Sequence, residues 1–218
     1  MPVAAFKIGL LGSLENIAII ARIVADYPDV PLVLDPVLAS GRGDDLASED
    51  MIYALRELLL PQTTLLTPNT LEARRLVEEG EGDEEGENEE SVPFVECARR
   101  LLVCGCEYVL LTGTHDHTPQ VVNTLYDEKG VVRSDTWERL PGSYHGSGCT
   151  LASAAAAGLA YGLSVTEAVR EAQDYTWHTL AAGFRPGMGQ YIPDRFYRER
   201  STPNRLFRAQ RPGATENV

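Results

Sequence analysis

The stretch Tyr144-His145-Gly146-Ser147-Gly148-Cys149-Thr150, followed directly by the alanine-rich run 151–157, decides the fold that we predict for this chain. Two glycines spaced G-x-G allow a sharp turn, and the good helix formers that follow predict a helix whose first N–H groups face that turn. A helix N-terminus favours an anion, so the stretch predicts a phosphate cradle. The alternative is a glycine turn into a packing helix with a buried, inert cysteine.

Cys149 falls on the first turn of the predicted helix. The same field that attracts a phosphate would favour its thiolate, and the side chain could then accept a proton from a substrate hydroxyl or hydrogen-bond to it. A free thiol has a pKa of ~8.5, so a role as base requires the helix terminus to lower that pKa.

Length and composition predict one α/β domain. The chain has 218 residues, 44% of them hydrophobic and 23% charged, and a net charge of -13 that argues against nucleic acid or an anionic membrane as partner. The acidic segment 79–90 has no apolar side chain to bury, which predicts a mobile surface insertion; a metal-binding or partner-binding segment is the alternative. We place the domain at 1–198 and expect 199–218 to be a loosely ordered tail.

The four cysteines, Cys97, Cys104, Cys106 and Cys149, lack the paired spacing of a metal site. Reduced thiols in a cytoplasmic protein are the simplest interpretation. The sequence also predicts neither a signal peptide nor a membrane helix.

Apolar runs and helical periodicity alternate along the chain. We predict a buried strand over 3–11, and further strands over 31–34, 63–66 and 108–111, with a β-hairpin over 120–126 and 131–137. Helices are predicted over 14–26, 48–60, 92–102, 151–161 and, from a capping box at Ser164, 164–182. Strand, helix and strand in succession make a parallel unit. His178, in the last helix, is interpreted as a partly exposed helix residue, and Tyr175 and Trp177 as packing residues.

Polar clusters follow three of the strands, at the edge where open α/β sheets bind ligands. Asp35-Pro36-Val37 follows one, Thr67-Pro68-Asn69-Thr70-Leu71-Glu72 the next, and Thr112-Gly113-Thr114-His115 a third. We predict Thr70 as the cap of the following helix, with Asn69 and Glu72 facing one cleft. The alternative is a helix cap with an acidic first turn, which stabilises any helix.

These clusters, with Gly146-Ser147-Gly148-Cys149-Thr150 after them, resemble the ribokinase-like superfamily in order and spacing. Most such kinases carry aspartate at the last position of the G-x-G-D loop, whereas hydroxymethylpyrimidine/phosphomethylpyrimidine kinases of thiamine biosynthesis carry cysteine there, as this chain does. The resemblance implies a three-layer α/β/α fold with a mostly parallel sheet. It implies transfer of a phosphoryl group from ATP, with Mg²⁺, to 4-amino-5-hydroxymethyl-2-methylpyrimidine and then to its monophosphate.

The resemblance also implies roles for single residues. Gly146, Ser147, Gly148 and Cys149 would form an anion hole for the transferring phosphoryl group, with Cys149 beside the substrate hydroxyl. Asp35 and Glu72 would organise Mg²⁺ and the phosphates with Asn69 beside them, and Thr112 and Gly113 would contact the nucleotide. The predicted pyrimidine pocket is lined by Gly9, Leu10 and Val37.

Two departures from the family pattern stand out. Thr112 replaces the family's common lysine and brings no charge to the ATP phosphates. The family also begins with additional strands and a helix that supply a glycine-rich substrate loop, so we expect an incomplete or mis-started chain; the alternative is a protein that has lost half of its substrate site.

Two other functions stay open at this point. A pyridoxal kinase of the same superfamily would act on a similar aromatic ring with a hydroxymethyl group. A non-catalytic pyrimidine-binding module is favoured by the missing loop and by Thr112. Dimerisation is common among similar kinases, which leaves a homodimer open for this chain.

Overall fold

A computed structural model describes residues 2–39, 44–78, 92–115 and 118–201. The strands are β1 (Phe6–Ile8), β2 (Leu32–Leu34), β3 (Leu65–Leu66), β4 (Tyr108–Thr112), β5 (Gln120–Asp127) and β6 (Gly130–Glu138). The helices are α1 (Leu14–Ala25), α2 (Glu49–Leu58), α3 (Thr70–Val77), α4 (Phe94–Val103), α5 (Ser147–Ala160), α6 (Val165–Ala181) and α7 (Tyr197–Ser201). The predicted acidic insertion at 79–90 and residues 202–218 of the predicted tail lie outside the described residues.

The strands form one sheet in the order β1-β2-β3-β4-β5-β6. Strands β1 to β4 are parallel, with pairs such as Lys7 and Val33, and β4, β5 and β6 continue the sheet in antiparallel fashion. The predicted hairpin is confirmed, as is a mostly parallel sheet. The carboxyl ends of β1 to β4 therefore meet at one edge, where the polar clusters of the sequence come together.

Helices cover both faces of this sheet. Successive strand residues point to opposite faces, and accordingly Val33 and Leu65 pack with α5 and α6 while Leu34 and Leu66 pack with α1 to α4. All four of these side chains are fully buried. The three-layer α/β/α prediction is confirmed.

The first strand differs from its prediction. The sequence predicts a buried strand over 3–11, but β1 is limited to three half-buried residues, Phe6–Ile8. Within the described residues β1 is an edge strand, since it pairs with β2 alone, and an edge strand buries less of its surface than a central one.

Two helix boundaries differ from their predictions because of nearby proline residues. Helix α2 is capped by Ser48 and ends at Leu58, two residues short of the prediction, and the short 3₁₀ helix Leu60–Gln62 with Pro61 follows it. Helix α4 begins at Phe94 rather than at residue 92, because Pro93 takes the N-cap position. The predicted strand 63–66 is reduced to Leu65–Leu66.

The long helix α6 carries an aromatic cluster. Trp177 stacks on Trp137 with ring centroids 6.4 Å apart, and His178 is half-exposed, as predicted, and stacks on Tyr197 at 5.7 Å. Tyr197 opens α7, so residues 199–201 of the predicted loose tail are helical.

The described helices are all shorter than a membrane-spanning segment. The longest, α6, has 17 residues, fewer than the roughly 20 that cross a bilayer. No helix in the described ranges is both long and apolar enough to cross a membrane.

Candidate active site

The glycine loop opens helix α5 as the sequence predicts. Gly146 is the N-cap residue with φ 83° and ψ 17°, a left-handed conformation that glycine adopts without strain. The loop is held by bonds from Thr150 N–H and Thr150 Oγ1 to Gly146 O, at 3.0 and 2.7 Å. No described side chain caps this helix end. The first N–H groups of the helix, at Ser147, Gly148 and Cys149, lack intrahelical partners and are suited to bind an anion.

Asp35 lies beside this loop. Its side chain follows β2, is only 5% exposed, and accepts a hydrogen bond from Lys7 Nζ at 3.4 Å. A Cβ atom placed on Gly148 would lie 3.9 Å from Asp35 Oδ1. This is an ordinary van der Waals distance, so the helix N-terminus lies next to a buried carboxylate.

Cys149 is exposed, so the interpretation of an inert buried cysteine is wrong. The pKa of the Cys149 thiol is raised, because neighbouring atoms remove water from around the sulfur and because Asp35 adds negative charge beside it. This shift is opposite to the one that a role as base requires. Lys7 and Arg195 act in the opposite direction and do not outweigh these effects.

Asn69 and Glu72 form a capping box at the start of α3. Asn69 Oδ1 accepts from Glu72 N–H at 2.9 Å, and Glu72 Oε2 accepts from Asn69 N–H at 3.0 Å. The cap of α3 is therefore Asn69 rather than Thr70, which is the first residue of the helix. The carboxylate of Glu72 reaches further, since Leu38 N–H donates to its Oε1 at 3.3 Å.

The negative charge of Asp35 also affects the pKa of Glu72. Burial raises the pKa of Glu72, and the charge of Asp35 raises it further against the backbone N–H donors of Asn69 and Leu38. A bound cation near Glu72 would offset the unfavourable effect of Asp35 on the charge of Glu72. Within the described ranges, no group of three or more His, Cys, Asp or Glu residues is placed to hold a metal. Mg²⁺ commonly needs only one or two carboxylates together with substrate phosphates, so this pair fits it.

Thr112 and Gly113 lie at the end of β4, next to the cap of α3. Thr112 pairs with Asn69 in a parallel bridge, and Thr112 Oγ1 donates to Pro68 O at 3.4 Å. Gly113 N–H donates to Asn123 Oδ1 at 3.2 Å. The backbone N–H of Gly113 is thereby used inside the protein, and a nucleotide contact at this point would rest on close approach rather than on that donor.

Leu10 and Val37, predicted to line the pyrimidine pocket, share one apolar depression with Leu38, Leu46 and Met51. Val37 has φ 28°, a strained value for a β-branched residue. Gly9 is not among the residues lining the depression; a Cβ there would lie 2.6 Å from Lys7 Nζ. Its missing side chain leaves room for the lysine ammonium.

Sequence reasoning missed two cations at this site, Lys7 and Arg195. Arg195 Nε donates to Thr150 Oγ1 at 3.1 Å, and a Cβ on Gly146 would lie 3.1 Å from Arg195 Nη2. Tyr175 Oη fixes the backbone by donating to Arg195 O at 2.9 Å. Lys7 has a sequence signal, a lone charge in the apolar run 3–11, whereas Arg195 has none.

Residues 1–194 match the sequence profile of the phosphomethylpyrimidine kinase family. The chain belongs to this family. Among similar curated proteins, the hydroxymethylpyrimidine/phosphomethylpyrimidine kinase of Streptomyces coelicolor is 36% identical over 191 residues, which cover 86% of this chain and 66% of that protein. The thiamine biosynthesis bifunctional protein ThiED of Geobacter sulfurreducens is 37% identical, over 80% of this chain and 34% of its own length.

A solved structure supports the membership. The pyridoxal kinase from Staphylococcus aureus in complex with AMP-PCP has a TM-score of 0.75 and 26% identity, covering 88% of this chain and 67% of that one. The curated relatives are longer: this chain spans between about one third and two thirds of their length. The fold of the kinase family is thus present around the glycine loop, Asp35 and Glu72.

Proposed function

We propose that this chain catalyses ATP-dependent phosphorylation of 4-amino-5-hydroxymethyl-2-methylpyrimidine and of its monophosphate, as a step of thiamine biosynthesis. The observation that carries the proposal is the close approach of the Gly146–Cys149 helix terminus to the buried carboxylate of Asp35. Phosphoryl transfer asks a protein mainly to align its reactants and to stabilise negative charge, and this arrangement supplies both. The names of the curated relatives support the substrate.

The free N–H groups of Ser147, Gly148 and Cys149 would bind the γ-phosphoryl oxygens. Arg195, beside Gly146, would add the positive charge that Thr112 does not provide. In the first transfer a bond forms between the substrate hydroxyl oxygen and the γ-phosphorus, the bond from that phosphorus to the β,γ-bridging oxygen breaks, and the hydroxyl proton passes to water. In the second transfer an oxygen of the monophosphate takes the place of the hydroxyl oxygen. ADP carries the bridging oxygen away.

Cys149 acts as a hydrogen-bond partner of the substrate hydroxyl. A thiol whose pKa lies above its ordinary value is protonated at neutral pH and is a poor base. A loose phosphoryl transition state develops little charge on the attacking oxygen, so alignment of the hydroxyl matters more than early removal of its proton. Asp35 adds negative charge beside the thiol and thereby keeps it protonated.

Asp35 and Glu72 would hold Mg²⁺ together with the ATP phosphates. When bound, the ion neutralises phosphate charge during transfer. The described residues contribute the two neighbouring carboxylates, and the capping box fixes one of them.

Pyridoxal kinase activity is the second candidate, because the solved structures that resemble this chain include pyridoxal kinases at TM-scores of 0.72 and 0.75. A phosphomethylpyrimidine kinase from Clostridium difficile is also similar, with 28% identity and a TM-score of 0.63. The names of the curated relatives favour the pyrimidine. Further parts of the proposal are a cytoplasmic location, supported by four free cysteines among the described residues, and a homodimer, which light scattering would test.

The test is the ratio of kcat/KM for the two hydroxymethyl substrates, measured with the 218-residue chain and MgATP. We expect the pyrimidine to be preferred. Preference for pyridoxal would replace the proposed substrate, and pyrimidine binding without ATP consumption would show a non-catalytic binding module.

A further inference from the structure

A buried amide on α6 joins the helix to both strands of the hairpin. Gln173 is 3% exposed. Its Oε1 accepts from Asn123 Nδ2 at 2.9 Å and from Trp137 Nε1 at 3.0 Å, and its Nε2 donates to Asp135 Oδ2 at 2.9 Å. Asn123 Oδ1 in turn accepts from Gly113 N–H at 3.2 Å. We call these linked bonds, from Gly113 to Asp135, the Gln173 relay.

Each hydrogen bond of the relay has a fixed donor and a fixed acceptor. Gly113 N–H and Trp137 Nε1–H can only donate, so Asn123 must turn its oxygen to Gly113 and Gln173 must present its oxygen to both donors. The amide nitrogen of Gln173 is then left for Asp135, whose carboxylate only accepts. Chemistry thus fixes the orientation of each amide, and every bond supports the next.

Two arginines fix the far end of the relay. Arg133 contacts both oxygens of Asp135 at 2.7 Å, and Arg170 donates to Oδ1 at 3.0 Å. These bonds lower the pKa of Asp135, the bidentate bond from Arg133 most of all. Asp135 is only 6% exposed and stays ionised at neutral pH, so it holds the Gln173 amide strongly.

The near end of the relay is the candidate nucleotide segment, Thr112 and Gly113. Asn123 pairs with Thr112 across β4 and β5 and bonds to the next residue, Gly113. On the carbonyl side, Arg139 donates to Gly113 O at 3.4 Å and to Thr114 O at 2.8 Å. The segment is therefore held on both sides, and its N–H side depends on Asn123 and Gln173.

We propose that Gln173 is a positioning residue that sets the Thr112–Gly113 segment for nucleotide binding. The inference rests on the proposed kinase function, because it gives that segment its ligand. Gln173 itself lies buried between α6 and the hairpin and acts through Asn123. Its loss therefore weakens ATP binding and leaves binding of the hydroxymethyl substrate largely unchanged.

Two variants test the proposal in the full chain. Gln173→Leu removes the hydrogen bonds of the relay and keeps a similar side-chain volume. We expect its KM for ATP to rise about tenfold, which corresponds to the loss of roughly one hydrogen bond to a charged group. The KM for the pyrimidine should change less than about twofold. Thr179→Val is the matched control: Thr179 is buried on the same helix, and its hydroxyl donates to Thr176 O at 2.7 Å. An equal rise in both variants would overturn the proposal.

Gln173→Glu supplies a pH profile that a merely structural residue would not give. Protonated glutamic acid donates to Asp135 and accepts from Asn123, as glutamine does, whereas its ionised form repels Asp135. The charged groups facing this position are Asp135, Arg133 and Arg170. We expect the KM for ATP of this variant to approach the wild-type value at low pH and to worsen as pH rises. A profile parallel to that of the wild type would contradict the relay.

Two measurements without turnover separate this inference from the proposed function. Gln173→Leu is expected to speed exchange of the Gly113 amide hydrogen and to weaken AMP-PCP binding in calorimetry. A wild-type chain that binds AMP-PCP but forms no product would refute the proposed function alone. Unchanged Gly113 exchange and unchanged AMP-PCP affinity in Gln173→Leu would refute the inference alone.

Discussion

The ammonium group of Lys7 lies 3.4 Å from Asp35 Oδ2, and the two side chains act on Cys149 with opposite signs. Asp35 raises the pKa of the Cys149 thiol, whereas Lys7 lowers it. Because neighbouring atoms remove water from around the sulfur and Asp35 adds to this effect, the thiol is protonated at neutral pH. The site therefore holds a hydrogen-bonding thiol between a carboxylate and a cation.

Alkylation of Cys149 tests this balance. We expect Asp35→Asn to lower the pKa of the thiol, since both the negative charge and the hydrogen-bond acceptor for the thiol are weakened. Lys7→Met is expected to raise it. The measurement is the rate of iodoacetamide labelling at Cys149 against pH, followed by mass spectrometry. An Asp35→Asn thiol that titrates at or above the wild-type pH would contradict the assignment.

Gly146 and Gly162 form a matched pair, since both have φ 83°. Alanine at either position takes on the same backbone strain, about 1 to 2 kcal/mol of unfolding free energy. A Cβ on Gly146 also meets Arg195 Nη2 at 3.1 Å, whereas one on Gly162 meets nothing within 4 Å. We expect urea unfolding to show a similar loss of stability in Gly146→Ala and Gly162→Ala. Only Gly146→Ala is expected to lose kcat/KM. Equal activity losses would argue against an anion-binding role for the loop.

Glu72 gives a pH-dependent stability. Its pKa is raised in the folded protein, so the folded state holds a proton that the unfolded state releases, and stability is lost as pH rises through the folded pKa. A glutamine side chain at this position cannot ionise. The unfolding free energy of Glu72→Gln, compared with that of the wild type, should therefore increase as the pH rises from below 4.5, which is the ordinary pKa of a glutamate. Urea unfolding across that range measures it, and a flat difference would show that Glu72 titrates normally.

Arg195 is expected to contact the ATP phosphates. Replacing it by Met should raise the KM for ATP about 10- to 100-fold, the effect of losing one or two charge-assisted hydrogen bonds. Lys at this position should restore part of the affinity. Arg22→Met, an exposed change in the last turn of α1, is the control. If both Met variants bind ATP alike, Arg195 has no part in phosphate binding.

Local features of this site were predictable from sequence, and distant side-chain contacts were not. The turn at Gly146 and the capping box at Ser164 follow from residues within four positions of each other, whereas α5 begins at Ser147, four residues before the predicted helix 151–161. Arg195 meets Thr150 across 45 residues, and Gln173 meets Asn123 across 50. No periodicity reports such contacts, because packing of the helices on the sheet creates them.

The cap of α3 shows the same limit at short range. Asn69 and Thr70 are both good N-cap residues, and local sequence offers little reason to choose between them. The structure decides for Asn69, which also bridges to Thr112 on β4. The raised pKa of Cys149 has a related origin: the helix field is a local property, whereas the loss of water around the sulfur and the charge of Asp35 come from the fold.

The most direct test of the central claim is product formation from 4-amino-5-hydroxymethyl-2-methylpyrimidine and MgATP, followed by mass spectrometry with the wild-type chain and Cys149→Ala. We predict phosphorylated pyrimidine from the wild type, and a kcat lower by about 10²-fold in the variant through loss of hydroxyl alignment. A folded wild-type chain that binds ATP and the pyrimidine but yields no phosphorylated product would contradict the account.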